Sequence, residues 1–232
     1  MASPWSTSTA GDRRRSDGGW LRNSKLAFAC FGLFLVFLLA QSVRTYDADQ
    51  IEHGEPAVSY PEYLTTGHFV EATFENWESE FLQMGAFVLL TAFLIQKGSS
   101  ESKQEDDDPH DEDPRLHRDD PAAPWPVRRG GWWLLVYENS LLIAFVVLFL
   151  GSMLGHALGG AAEYSSEQVA HGQPAVGVWE FVRTSQFWFE SFQNWQSEFL
   201  AVASIVVLTI VLRQRGSPES KPVHEPVDAT GS

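Results

Sequence analysis

The chain has 232 residues, a formal net charge of −14 and one cysteine, Cys30. Proteins bind a nucleic-acid backbone mainly through Lys and Arg, so this acidic balance gives no electrostatic basis for nucleic-acid binding. A single cysteine excludes an intrachain disulfide. The apolar residues are concentrated in four runs, which is typical of an integral membrane protein and not of a soluble domain.

The predicted elements begin after residues 1–22, which are rich in Ser, Gly and Arg and are predicted to be a disordered tail. Apolar runs follow at roughly 26–40, 81–95, 141–158 and 199–212. The first and third are long enough, or nearly so, to cross ~30 Å of hydrocarbon at ~1.5 Å per residue. The second and fourth are shorter, and they reach that length when the upstream Trp-x-x-x-Phe turn is included. Four transmembrane helices are therefore predicted.

An internal repeat relates the two halves of the chain. Residues 46–103 align with residues 164–221 at an offset of 118, without a gap and with 27 of 58 positions identical. The clearest matches are 53–58 with 171–176 and 76–82 with 194–200. A repeat of this length sets the architecture, so we predict transmembrane repeats at 23–98 and 130–216.

Two further segments are predicted to be disordered. The linker, residues 99–129, holds ten acidic residues between Glu101 and Asp120 together with several prolines. Such a composition cannot bury enough apolar surface to fold. The C-terminal tail, residues 217–232, has the same polar character.

The distribution of Lys and Arg predicts the topology. When the chain is divided at the four apolar runs, fourteen of the 16 basic residues lie before the first run, between the second and third runs, or after the fourth. The two loops between paired helices hold only Arg44 and Arg183. By the positive-inside rule, both termini and the linker are cytoplasmic. The predicted fold is all-α: a four-helix transmembrane bundle from two parallel two-helix repeats, with short interfacial helices in the outer loops.

A candidate polar cluster lies at the outer ends of these helices. Glu80 and Glu198 occupy equivalent positions in the two copies, and we expect both to face the bundle interior because ionisable residues rarely face lipid. They could relay protons or hold a cation, or they could form a structural collar at the helix N-termini. The neighbouring Asn and Trp side chains could cap helices, anchor at the interface or bind a ligand. The full candidate set is Glu80, Glu198, His156, Gln41, Arg44, Asn76, Asn194, Trp77 and Trp195.

Glycines at every fourth position, Gly151, Gly155 and Gly159, predict a groove for close helix approach. His53 and His171 each precede Gly and Pro, a pattern that ends helices and that we favour over metal binding. No metal site and no cofactor is predicted.

Between Thr45 and Glu80, and between Gly159 and Glu198, the outer segments carry 14 acidic residues against one basic residue, with nine acidic residues in the first copy and five in the second. Such a surface attracts cations. We expect the first loop to sit higher in water, so that Glu71, Glu75 and Glu78 are more exposed than their counterparts. Those counterparts are Phe189, Gln193 and Gln196.

The repeated motifs His-Gly-Glu/Gln-Pro-Ala-Val and Asn-Trp-x-Ser-Glu-Phe-Leu, followed by Gly-Ser-x-Glu-Ser-Lys, resemble an uncharacterised family of bacterial membrane proteins known only as a domain of unknown function. The resemblance covers about residues 23–225. It implies the cytoplasmic membrane of a bacterium, and it carries no activity, cofactor or catalytic residue.

No catalytic signature such as His-Glu-x-x-His or Gly-x-Ser-x-Gly is present. The sequence favours a non-enzymatic envelope interaction or scaffold module, with the lipid bilayer as its surroundings. The alternative is a small cation- or proton-handling transporter or channel centred on Glu80 and Glu198. The sequence does not identify a protein partner or an oligomeric state.

Overall fold

The computed structural model describes residues 24–52, 58–104 and 108–231, with the backbone alone for residues 47–52. Eight α-helices and no strand occur in these described residues, so the all-α class is confirmed. The helices are α1 (Lys25–Glu52), α2 (Tyr60–Tyr63), α3 (Gly67–Phe93), α4 (Trp125–Arg129), α5 (Gly131–Glu138), α6 (Ser140–Ala170), α7 (Val178–Phe181) and α8 (Ser185–Val211). Two short 3-10 helices, Pro109–Asp111 and Pro114–His117, lie in the linker.

The chain divides into two units, Met1–Val58 and Ser59–Ser232. The first unit contains α1, an apolar helix whose hydroxyl side chains bond back to their own backbone, as Ser42 Oγ does to the Leu39 carbonyl. The Tyr46 hydroxyl donates to the Val58 carbonyl at 2.8 Å and ties the loop to the helix end. The predicted tail, residues 1–22, and His53 lie outside the described residues.

The second unit is built around α3, α6 and α8. The helix α6 runs antiparallel to α3, because Gly67 lies against the backbone of Gly159 and Glu163 while Gly85 lies against Phe145. Contacts between α3 and α8 join residues about 118 positions apart, so these two helices run parallel. The buried apolar core consists of Ala157, Ala161, Phe181 and Phe187.

Glycine permits the close approach of α3 to α6. A Cβ at Gly155 would lie 2.5 Å from the ring of Phe74, and one at Gly159 would lie 2.5 Å from the Glu71 backbone nitrogen. The predicted groove is therefore present at these two positions. A Cβ at Gly151 would meet nothing within 4 Å, so this glycine takes no part in the helix contact.

Three helices in the described part of the chain contain segments long and apolar enough to cross a membrane: Lys25–Tyr46, Ser140–Ala170 and Ser185–Val211. The 27-residue helix α3 is not among them. Its first half carries four glutamates, which lower its hydropathy. On α6 only 17% of the apolar window is buried, so most of that apolar surface is exposed.

The short helices α2 and α7 precede α3 and α8. The Glu62 carboxylate accepts the Ser59 N–H, and the Glu180 carboxylate accepts the Gly177 N–H, both at 2.9 Å. The hydroxyl and the backbone N–H of Ser59 hold the pKa of Glu62 below its usual value. The first turns of α3 and α8 are capped by threonine, since Thr66 Oγ1 accepts the Phe69 N–H and Thr184 Oγ1 accepts the Phe187 N–H.

The segments that follow α3 and α8 have matching turns. The backbone N–H of Gln96 donates to Ser102 Oγ, and that of Gln214 donates to Ser220 Oγ, both at 2.9 Å. Residue Lys221 is 1% exposed, and its ammonium donates to the carbonyl oxygens of Pro226, Val227 and Ala229. The described parts of the linker and the C-terminal tail thus form specific hydrogen bonds, and their disorder in solution stays a prediction.

Candidate functional site

The centre of the second unit is a histidine with no exposed surface. The His156 ring lies with Nδ1 2.9 Å from Glu78 Oε2 and with Nε2 3.3 Å from Glu190 Oε2. The ring of Phe187 stacks on it with 4.7 Å between centroids. His156 reaches this position because it shares the buried face of α6 with Ser152 and Gly159, at helical spacing.

Three glutamates reach the same region from α3. Residues Glu71, Glu75 and Glu78 are spaced four and three positions apart, which places them on one face of the helix. Glu78 has no exposed surface, and Glu71 and Glu75 are half-buried. The ligating atoms of Glu71, His156 and Glu190 lie within 4.8 Å of one another.

Side chains of α8 hold these carboxylates in place. Trp195 Nε1 donates to Glu78 Oε1 at 3.1 Å, Asn194 Nδ2 donates to Glu75 Oε1, and Gln186 Nε2 donates to Glu190 Oε1. Each donor fixes a different carboxylate. The five ionisable residues Glu71, Glu75, Glu78, His156 and Glu190 form what we call the carboxylate–histidine cluster.

The backbone of α6 leaves room for Glu71. A Cβ on Gly160 would lie 2.5 Å from Glu71 Oε1 and 2.5 Å from the ring of Phe181. The position of this carboxylate therefore depends on a glycine in the facing helix.

The cluster holds four carboxylates and one imidazole. If all were ionised, the sum would be −3 with a protonated His156 and −4 with a neutral one. Like charges at this separation repel strongly in a medium of low dielectric constant, and a buried unpaired charge is costly. Protons or a bound cation must therefore neutralise part of this charge.

Residues 17–232 match the family described as Domain of unknown function (DUF6766). The chain belongs to this family. No curated protein and no solved structure matches the chain. Membership of an uncharacterised domain family, which the motifs indicated, is thus confirmed, while bacterial origin stays a prediction.

The structure does not place Glu80 where the sequence predicted. Glu80 is exposed, and Glu78, two residues earlier, faces the interior. Successive residues on an α-helix are rotated by roughly 100°, so a shift of two positions reverses the direction of the side chain. Glu198 is half-buried and lies close enough to Glu80 for their charges to repel.

The two Asn-Trp motifs have different partners. Asn194 and Trp195 bind carboxylates of the cluster. Asn76 is exposed and donates to the Ala72 carbonyl of its own helix, and Trp77 packs against the Phe74 ring. The structure therefore brings His156, Asn194 and Trp195 together, but not Asn76.

The remaining two candidates, Gln41 and Arg44, lie on α1 in the first unit. The Gln41 carbonyl accepts the Thr45 hydroxyl at 2.9 Å, and Arg44 is exposed. Their part in the cluster stays a prediction. His171, for which we preferred a helix-ending role, bonds through Nδ1 to the Glu167 carbonyl at 2.7 Å.

The expected division of the two outer segments is wrong. In the first copy Glu78 is buried and Glu71 and Glu75 are half-buried. In the second copy Phe189, Gln193 and Gln196 are exposed, with Phe189 at 62%. The reason is that the face of α3 that carries the glutamates packs on α6, while the equivalent face of α8 points away.

Sequence reasoning missed Glu71, Glu75, Glu78 and Glu190 as site residues. It selected residues kept in both copies, and none of these four is kept. At the offset of 118 the histidine itself corresponds to Leu38. The four-and-three spacing of the glutamates along α3 was the available signal.

Proposed function

We propose that this chain is a small integral membrane protein that handles protons or another cation at the carboxylate–histidine cluster. The contact of the fully buried His156 with both Glu78 and Glu190 carries the proposal. Ionisable groups buried within membrane-protein bundles are costly and usually mark ion or proton pathways. We propose no catalytic role.

The two carboxylate contacts of His156 support a cation at the cluster. If Nδ1–H donates to Glu78, a neutral imidazole directs the lone pair of Nε2 at the Glu190 carboxylate. Two acceptors 3.3 Å apart repel unless a proton or a metal ion lies between them. A cation therefore occupies the position between Nε2 and the Glu190 carboxylate. When it leaves, the two acceptors face each other and repel.

The membrane setting of the proposal comes from the helices. Three apolar helices are long enough to span, and we propose that α3 completes a four-helix transmembrane bundle. The bounds of α2 and α7, and those of α3 and α8, each differ by 118 residues, which supports a duplicated unit. We place the protein in the cytoplasmic membrane of a bacterium, with both termini cytoplasmic, as the Lys and Arg distribution predicts.

In this orientation the cluster lies toward the outer surface. Glu190 is in the second turn of α8, which starts outside, and His156 lies about 24 Å along α6 from its cytoplasmic start at ~1.5 Å per residue. The acidic outer loops would raise the local concentration of cations next to it. Access from the outer side is therefore part of the proposal.

The scaffold interpretation remains the competing function. It treats the cluster as a structural collar that holds α3, α6 and α8 together and predicts no response to cations. A buried apolar contact would serve that role at lower electrostatic cost, and this comparison favours cation handling.

The proposal is tested in proteoliposomes without added metal and with EDTA. A valinomycin-induced potassium potential, negative inside, drives proton entry, which an internal pH dye reports. We expect proton uptake above that of protein-free liposomes, and we expect Glu78→Gln and Glu190→Gln to reduce it to background while the protein stays helical. Glu198→Gln is the matched control on α8.

Two results would overturn a proton pathway through the cluster. One is uptake by the unaltered protein equal to that of empty liposomes, which supports the collar. The other is loss of uptake in Glu198→Gln with full uptake in Glu190→Gln, which moves the pathway to Glu80 and Glu198.

A further inference from the structure

We infer that the carboxylate–histidine cluster is a site for a divalent first-row transition-metal ion, with His156 Nε2, Glu190 and Glu71 as its ligands. The inference rests on the proposed function and names its cation class. Nothing in the family description assigns such a site.

The ligand geometry suits such an ion. Ligand atoms about 2.0–2.2 Å from a tetrahedral ion lie roughly 3.3–3.6 Å from one another. The distance from His156 Nε2 to Glu190 Oε2 is 3.3 Å, and the Glu71 ligand atom lies within 4.8 Å of both partners. Three protein ligands leave a position open, as in sites where the metal exchanges or binds water.

The histidine is oriented as metal-bound histidines are. Such residues donate their second ring N–H to a carboxylate, which fixes the tautomer and raises the basicity of the ligating nitrogen. Glu78 accepts from Nδ1 at 2.9 Å with no exposed surface, and Trp195 holds its other oxygen at 3.1 Å. With the proton of the neutral ring on Nδ1, the lone pair of Nε2 is directed at Glu71 and Glu190.

A buried hydroxyl without a partner adds an independent observation. Ser191 is 1% exposed, and its Oγ has no hydrogen-bond partner among the described residues. It lies four residues after Phe187, which stacks on His156, and four before Trp195, which bonds to Glu78. This spacing places Ser191 on the face of α8 that packs on the cluster, where a metal-bound water would satisfy it.

Charge and donor type select the class of ion. Two ligating carboxylates carry a charge of −2, which a divalent ion balances in full. A monovalent ion would balance only half of it. Ca²⁺ and Mg²⁺ prefer oxygen ligands alone, whereas an imidazole with carboxylates suits Zn²⁺, Mn²⁺ or Fe²⁺. We therefore choose Zn²⁺ as the probe for affinity and Co²⁺ as the probe for coordination.

The test uses the 232-residue chain in detergent after EDTA treatment, with Zn²⁺ titrated by calorimetry and Co²⁺ followed by visible absorption. We expect a single class of site and d–d bands of low-symmetry Co²⁺. Glu78→Gln should weaken Zn²⁺ binding by about 10–100-fold. Glu71→Gln, Glu190→Gln and His156→Gln should weaken it further and remove the bands, and Glu198→Gln should bind as the unaltered protein does.

A glycine pair keeps the test informative if a ligand variant does not fold. Gly160→Ala places a methyl group against Glu71 Oε1 and should weaken Zn²⁺ binding, whereas Gly151→Ala meets nothing within 4 Å and should not. Absence of Zn²⁺ and Co²⁺ binding to the folded protein, or binding that ignores Glu190→Gln and Gly160→Ala, would overturn the inference. Metal binding without proton uptake would refute the proton pathway alone, and proton uptake without metal binding would refute the metal site alone.

Discussion

Replacing Gly159 with alanine should separate α3 from α6 and lower stability. The new Cβ would lie 2.5 Å from the Glu71 backbone nitrogen, 3.0 Å from its Cα and 3.0 Å from the Gly67 carbonyl oxygen. All three are backbone atoms, so no side-chain rotation relieves the clash, and α3 as a whole must move.

The magnitude follows from two opposing terms. Overpacking a close contact costs about 1–3 kcal/mol, while alanine in a helix interior is favoured over glycine by about 1 kcal/mol. A backbone clash this short lies at the upper end of the first range, so we expect a net loss of about 1–2 kcal/mol. For a chain of this length that corresponds to a Tm lower by roughly 2–8 °C.

Circular dichroism at 222 nm during heating in detergent micelles measures the shift, with Gly151→Ala as the control. Since a Cβ at Gly151 meets nothing within 4 Å, only the helix-propensity gain applies there, and Tm should stay equal or rise. Equal Tm values for the two variants, or a Gly159→Ala protein as stable as the unaltered one, would refute the close approach of α3 to α6.

Three further predictions concern topology, hydrogen bonding and pH. In a Cys30→Ala background, single cysteines at Ser59 and Gly177 should react with an impermeant maleimide in intact cells. A single cysteine at the exposed Ala122 should react only after the cells are permeabilised. Labelling of Ala122 in intact cells would contradict the orientation. Trp195→Phe removes the donor to the buried Glu78 and should lower the free energy of unfolding by about 1.5–3 kcal/mol, whereas Trp132→Phe, at a position 71% exposed, should change it little by the same thermal assay. Hydrogen bonds from the backbone N–H groups of His110 and Gln104 lower the pKa of Asp108 from 3.8 to about 2. The ionised carboxylate therefore stabilises this turn fully at pH values above 3.8, and the stabilisation is lost as the pH falls through 2. The protection of the His110 and Gln104 amides against hydrogen exchange, measured relative to the intrinsic exchange rate at each pH, should fall over that pH range. Equal protection throughout, or unchanged protection in Asp108→Asn, would contradict the assignment.

Local features of the chain determined the helices. Apolar runs predicted the spanning segments of α1, α6 and α8, and the Thr66 and Thr184 caps begin α3 and α8 at equivalent places. The short helices α2 and α7 lie in the segments before α3 and α8, where short helices were predicted. Hydropathy and capping act over a few neighbouring residues, so they can be identified in a sequence without knowledge of the packing.

Only the tertiary structure decided which side chains form the cluster. Helix geometry places Glu78 and Glu80 on opposite faces of α3, but it does not decide which face packs on α6. That choice depends on Gly155, Gly159 and Gly160, which let α3 approach so closely that its glutamates meet His156.

Comparison of the two copies also directed attention to the wrong residues. Residues kept in both copies maintain what the copies share, such as caps and turns. The cluster instead lies where α3, α6 and α8 meet, and α3 and α8 contribute different faces to it. Glu78 faces His156 while its counterpart Gln196 is exposed. An asymmetric site is built from positions that have diverged, and only the packing of unlike helix faces reveals it.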